Sequence, residues 1–154
     1  MELQLKKETA KRLFPESPEW FRNVLTETFG EECFKKREFT DIKTFEDACD
    51  ELGINPSIII NSNDQPDEVA YKKLKVIIKA INGGWTPDWS NDNQKKWWPW
   101  FNLSSGFGFF DSFYLYTLSN TRVGSRLCFE SEAKSTYTAK QFINLYEELL
   151  TIKK

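Results

Sequence analysis

The strongest periodic signal in the chain lies between Pro66 and Gly84. Ala70, Leu74, Ile77, Ile78 and Ile81 recur at three- and four-residue spacing and form one apolar stripe. Pro66 opens the segment and Gly83-Gly84 closes it, which predicts a helix over residues 67–82. Lys72, Lys75 and Lys79 fall on the other side, with Lys73 at the border. A solvated basic face explains these lysines; phosphate contact is the sharper alternative.

Two shorter helices precede it. Residues 1–17 read as loosely ordered, and then Ser17-Pro18-Glu19 makes a good helix start. Phe21, Val24 and Leu25 follow at helical spacing and Gly30 is the stop. Residues 31–43 are charged and ambiguous. Thr44-Phe45-Glu46-Asp47 is a capping-box start, with Phe45, Ala48, Cys49 and Leu52 on one face and Gly53 as the stop. The triplet Ile58-Ile59-Ile60 reads as a short strand or a buried linker, and the polar run after it as a loop.

Beyond the loop at residues 85–94 the period changes from helical to alternating. Residues 96–102 and 107–116 predict two strands joined by a turn at 103–106, with Pro99 confining the first to a sheet edge. Residues 120–124 are turn-rich, and 125–130 alternate as a third strand. A last helix is predicted over 131–150, with Phe142, Leu145, Tyr146 and Leu149 on its apolar side. The expectation is a single α+β domain: a three-stranded antiparallel meander packed by helices. No internal repeat or low-complexity tract interrupts it.

Period two separates the meander into two faces. Phe101, Phe107, Phe109, Leu127 and Phe129 make an apolar face, and Phe107 and Phe129 are expected deep in the core. Asp111 falls on that face too, which argues against the register unless it sits at the rim. The opposite face carries Lys96, Trp98, Trp100, Phe110, Tyr114 and Arg126. Cations mixed with large rings resemble sheet surfaces that stack bases and hold phosphates. The competing reading is that the N-terminal half packs over this face, since four large exposed rings are costly for solubility.

Composition sharpens this picture. Twelve of the 24 aromatic residues lie between Trp85 and Tyr116, including five of the six tryptophans. That segment must be the centre of the fold, a binding surface, or both. The net charge of −2 hides a split. Residues 1–70 carry 9 Lys/Arg against 16 Asp/Glu, a net of −7, and residues 71–154 carry 12 against 7, a net of +5. Either the basic half has an anionic partner or the acidic half folds against it.

The chemistry on offer is sparse. Histidine is absent, which removes the commonest general base and metal ligand. Cys33, Cys49 and Cys128 are odd in number and widely spaced, so they read as packed free thiols rather than zinc ligands or disulfides. Residues 88–93 space oxygen ligands like a calcium loop but lack its central glycine and terminal glutamate, so a side-chain-bonded turn is the better reading. Glu147-Glu148 point in different directions on a helix. Gly106 and Gly108 precede no helix and make no phosphate loop. No catalytic residue, metal or cofactor is expected. The apolar runs are too short to span a bilayer and the first residues form no signal region, so a cytoplasmic protein with no membrane partner is expected.

Several motifs come in a distinctive order: Gly84-Trp85-Thr86-Pro87-Asp88-Trp89, Trp98-Pro99-Trp100-Phe101, Ser105-Gly106-Phe107, Gly124-Ser125-Arg126-Leu127-Cys128-Phe129 and Ala139-Lys140-Gln141-Phe142. Over residues 68–150 the chain resembles a family of small uncharacterised proteins from gut Bacteroidetes genomes and their phages and mobile elements. The resemblance implies a phage or mobile-element setting and carries no catalytic or binding residue with it. The leading expectation is a non-enzymatic binding protein that takes single-stranded nucleic acid or a nucleotide on the cationic aromatic face. The alternative is a structural or protein-interaction module, such as a virion component or a host-factor antagonist, and the acidic pI near 5.4 favours it.

Overall fold

Charge rather than apolar periodicity orders the N-terminal stretch. The computed structural model describes residues 5–35, 37–104, 106–115 and 125–152. In it α1 (Lys7–Leu13) and a 3₁₀ turn (Phe14–Glu16) occupy residues expected to be loose. Asp50, far along the chain, is the anchor. Its carboxylate accepts from Lys11 Nζ at 2.8 Å and from Arg37 Nη2 at 2.8 Å, with Lys7 Nζ 3.7 Å away. Burial pushes the Asp50 carboxyl up, but the Lys11 hydrogen bond and the charges of Lys11, Lys7 and Arg37 outweigh it, and its pKa lies below the usual value. In α2 (Glu19–Phe29) Pro18 takes the capping position, while Ser17 Oγ donates back to Leu13 O at 2.8 Å.

The next two helices follow their sequence signals. In α3 (Phe45–Leu52) Thr44 and Asp47 exchange capping bonds of 3.0 and 2.9 Å. Gly53 ends it in the left-handed region, and a Cβ there would lie 2.6 Å from Glu8 O, so the glycine also lets α1 approach. The isoleucine triplet is neither strand nor buried linker as a unit. Pro56–Ile58 form a 3₁₀ turn, Ile58 is exposed, and Ile59 and Ile60 are half-buried. In α4 (Pro66–Asn82) the predicted stripe of Ala70, Leu74, Ile77, Ile78 and Ile81 is buried throughout.

The sheet differs from the expected meander. β1 (Lys96–Asn102) and β2 (Gly108–Leu115) form an antiparallel pair, with Trp98 opposite Phe113 and Phe101 opposite Phe109. A bulge between Trp100 and Phe101 makes Phe110 an extra residue on β2. The bulge explains Asp111: it pairs with Trp100, not with the apolar set, and is exposed. The predicted third strand reduces to one bridge, in which Trp97 and Phe129 exchange hydrogen bonds of 3.0 and 2.9 Å. Residues Ser125–Leu127 instead form a 3₁₀ turn.

Pro99 supplies the reason. Backbone groups alternate in direction along a strand, so Trp97 and Pro99 face the same edge. Proline has no N–H to donate opposite Leu127, and the pairing stops. The predicted turn at 120–124, like Tyr116, lies outside the described residues.

The last predicted helix breaks at Phe142 (φ −114°, ψ 31°) into α5 (Glu132–Gln141) and α6 (Ile143–Leu150), with no Pro or Gly to mark the break. Buried Asn82 at the end of α4 ties this region together. Its Nδ2 donates to Cys128 O at 2.9 Å and its Oδ1 accepts from Glu130 N at 3.2 Å. The core gathers Ile42, Phe45, Leu74, Ile77, Phe129, Phe142 and Tyr146. Phe129 is fully buried, but Phe107 is only half-buried and stacks on Phe101 at 5.0 Å, short of the depth its period predicts. Phe129→Ala therefore removes the larger share of core packing. It should lower unfolding free energy by about 3–5 kcal/mol, read from the denaturant midpoint, with Phe107→Ala costing clearly less.

Candidate functional site

The six residues expected on one cationic aromatic face are dispersed. Lys96 and Trp98 do share a side of β1, but that side is covered: their exposures are 1% and 3%. The cover is not the acidic N-terminal half. That half meets the C-terminal half through α4 and α5, where Tyr137 Oη donates to Thr40 O and Ile42 O. The loop just before β1 covers Lys96, and Trp98 packs between that loop's Trp89, at 6.3 Å, and Tyr71, Leu127 and Tyr146. Lys96 Nζ donates to Gln94 O at 3.0 Å and to Asn91 O at 3.3 Å, and lies 5.2 Å from the centre of the Trp89 ring. Two carbonyls and an indole face thus serve a buried cation.

The loop itself is folded by its own side chains. Asp88 Oδ1 accepts from Ser90 N and Oγ, Asn91 Oδ1 accepts from Asn93 N, and Gln94 Oε1 accepts from Asp88 N. This is the side-chain-bonded turn that the spacing predicts. Among the described residues no group of three or more Cys, Asp or Glu converges to hold a metal.

Of the other four, Trp100, Phe110 and Tyr114 are exposed at 53%, 66% and 39%. Trp100 and Phe110 both border Phe113, with ring centres 5.0 and 6.5 Å from it, and form an outward cluster. Tyr114 pairs with Trp97, one residue out of step, and therefore shows on the opposite face against the Trp97 ring at 4.7 Å. Phe110 joins the outward cluster through the bulge.

Arg126 is exposed on its 3₁₀ turn and belongs to a different site. A groove of about 430 Å³ runs between α4 and the loop that follows it, lined by Lys75, Lys79, Arg126, Trp85 and Trp89 among others. No carboxylate lines it. Among the described residues none of these three cations has an ion pair; Asp64–Lys72, at 2.6 Å, is the pair that joins the acidic and basic halves. The one-turn spacing of Lys75 and Lys79 was readable as a shared face. Trp85 and Trp89 were not, because their place depends on how Gly83-Gly84 returns the chain over α4.

The three cysteines are free. Burial pushes the thiols of Cys49 and Cys128 up to about 11; Cys49 packs in the core, and Cys128, also buried, lies in the wall of the basic groove. Among the described residues no helix is long and apolar enough to cross a membrane. The chain matches no family model, no curated protein and no solved structure.

Two measurements check the site. Lys96→Met removes the donor that two loop carbonyls share, and should cost about 1–3 kcal/mol in stability while speeding hydrogen exchange in residues 88–94. The thiols give a pH signature. Folded Cys49 and Cys128 keep their protons to about 11 against a reference of 9.0. The unfolded chain ionises first, so their contribution is intact below pH 9 and lost as pH rises towards 11. Denaturant melts across that window should show the fall, and a Cys49→Ser, Cys128→Ser double variant should flatten it.

Proposed function

We propose that the protein is a non-enzymatic binding protein for single-stranded nucleic acid or a nucleotide, and that the groove of Lys75, Lys79, Arg126, Trp85 and Trp89 is its binding site. One observation carries the reading. Three cations without ion-pair partners among the described residues line, with two indoles, a groove that has no carboxylate in its wall. Phosphates recruit unpaired cations by releasing counterions, and indoles accept any base face. The resemblance noted above supports a phage or mobile-element setting for this activity.

A second reading rests on a separate observation. Trp100, Phe110 and Phe113 place three exposed rings side by side on the hairpin. An aromatic cluster of this kind suits a protein partner, in keeping with a structural or protein-interaction module.

The test separates the two. Titration with a short oligothymidylate at low salt should quench tryptophan fluorescence, and affinity should fall steeply as salt rises. Lys79→Ala and Arg126→Ala should each reduce the salt slope by about one, and Trp85→Ala should weaken binding by about 1–3 kcal/mol. Trp100→Ala should change nothing. Binding indifferent to salt and to Arg126→Ala, or no binding at low salt, removes the nucleic-acid reading and leaves the protein-interface one.

A further inference from the structure

Among the described residues only two buried side-chain nitrogen or oxygen atoms lack a hydrogen-bond partner: Trp98 Nε1 and Tyr146 Oη. They come from elements 48 positions apart in the sequence, yet both residues line the same pocket. It has a volume of about 290 Å³ and lies where α4, β1 and α6 meet, beside the missing continuation of the third strand. Tyr71, Phe101, Leu127 and Leu149 supply much of the remaining wall, and no charged side chain lines it.

The coincidence is informative because each orphan is expensive. A buried donor without a partner costs about 1–3 kcal/mol, whereas phenylalanine at 146 would bury the same ring with no such penalty. Burial pushes the Tyr146 phenol far up, so it stays protonated and able to donate. The indole N–H can only donate. Two buried donors in the wall of one apolar pocket call for an acceptor. A carboxylate is disfavoured there, since no lining cation would balance its charge. The volume falls at the small end of the range for ligand pockets.

We propose that this pocket binds a small, uncharged, largely apolar molecule carrying a carbonyl-type oxygen, held by hydrogen bonds from Trp98 Nε1 and Tyr146 Oη. Both atoms are closed to solvent in this conformation, so part of the wall yields as the ligand enters. The wall best placed to yield is the last turn of α6. It carries Leu149 and the exposed Leu150 and ends at Thr151, whose N–H returns to Glu147 O. The site is separate from the basic groove and does not depend on it.

Two probes of nearly equal shape test the idea: 1-indanone, which has a ketone oxygen, and indane, which does not. Binding is followed by ¹H–¹⁵N spectra, with the Trp98 indole N–H as reporter. Indanone should bind more tightly than indane and move that resonance downfield, while indane should not. Tyr146→Phe keeps its ring and Trp98→Phe keeps an aromatic ring smaller than the indole, so each variant is judged by the ratio of the two probes, and near-ultraviolet circular dichroism checks that each is folded. Each should lower the preference for indanone over indane by about three- to tenfold. Equal binding of the two probes, no binding of either at millimolar concentration, or a preference for indanone untouched in both variants would overturn the proposal. So would an experimental structure with an ordered water bonded to both atoms.

Discussion

The described structure turns on the side chain of Asn82. It is the last residue of α4, it is buried, and it holds the segment at Cys128–Glu130 by one bond on each side of Phe129. That segment joins the sheet through Trp97 and leads directly into Ser131, which caps α5. Asn82 therefore sets helix α4, the hairpin and the C-terminal helices in one frame. Its own carbonyl accepts from Lys134 Nζ at 3.3 Å, which ties α5 back to the same point. A buried amide that satisfies two backbone groups works because both partners are fixed; with either misplaced it would be a liability.

Legibility followed the kind of force at work. α3 and α4 could be read because capping residues and apolar stripes act locally, within a few positions. The hairpin could be read because alternation is also local. The alternation even placed Lys96 and Trp98 together correctly. What it could not give was which side was outward, because that depends on Gln94 and Asn91 returning their carbonyls to Lys96. A lysine reads as a surface residue until its partners are known. The same blindness hid α1, which rests on ion pairs to Asp50 some forty positions away. The bulge at Phe110 and the break at Phe142 have no Pro or Gly to announce them.

The candidate groove shows why whole-chain charge is a poor guide to a partner. The pI near 5.4 reflects carboxylates concentrated before residue 70, of which Asp47 and Asp50 are already engaged with cations of their own half. Fixed charges act over about 8 Å at physiological salt. What an approaching anion meets is then the local set of Lys75, Lys79 and Arg126. The acidic half contributes packing to α4 and α5 and leaves this rim of α4 uncovered.

Pro99 has a consequence for self-association. The hairpin is rich in aromatic residues and low in charge, the composition that favours cross-strand growth between copies. A strand adding to the outer edge of β1 would need donors at alternate positions. Trp97 has already given its N–H to Phe129, and Pro99 has none to give. The same proline that cuts the third strand short also leaves that edge unable to template another chain. A ring-dense hairpin can thus be carried at the surface with one flank chemically blunted.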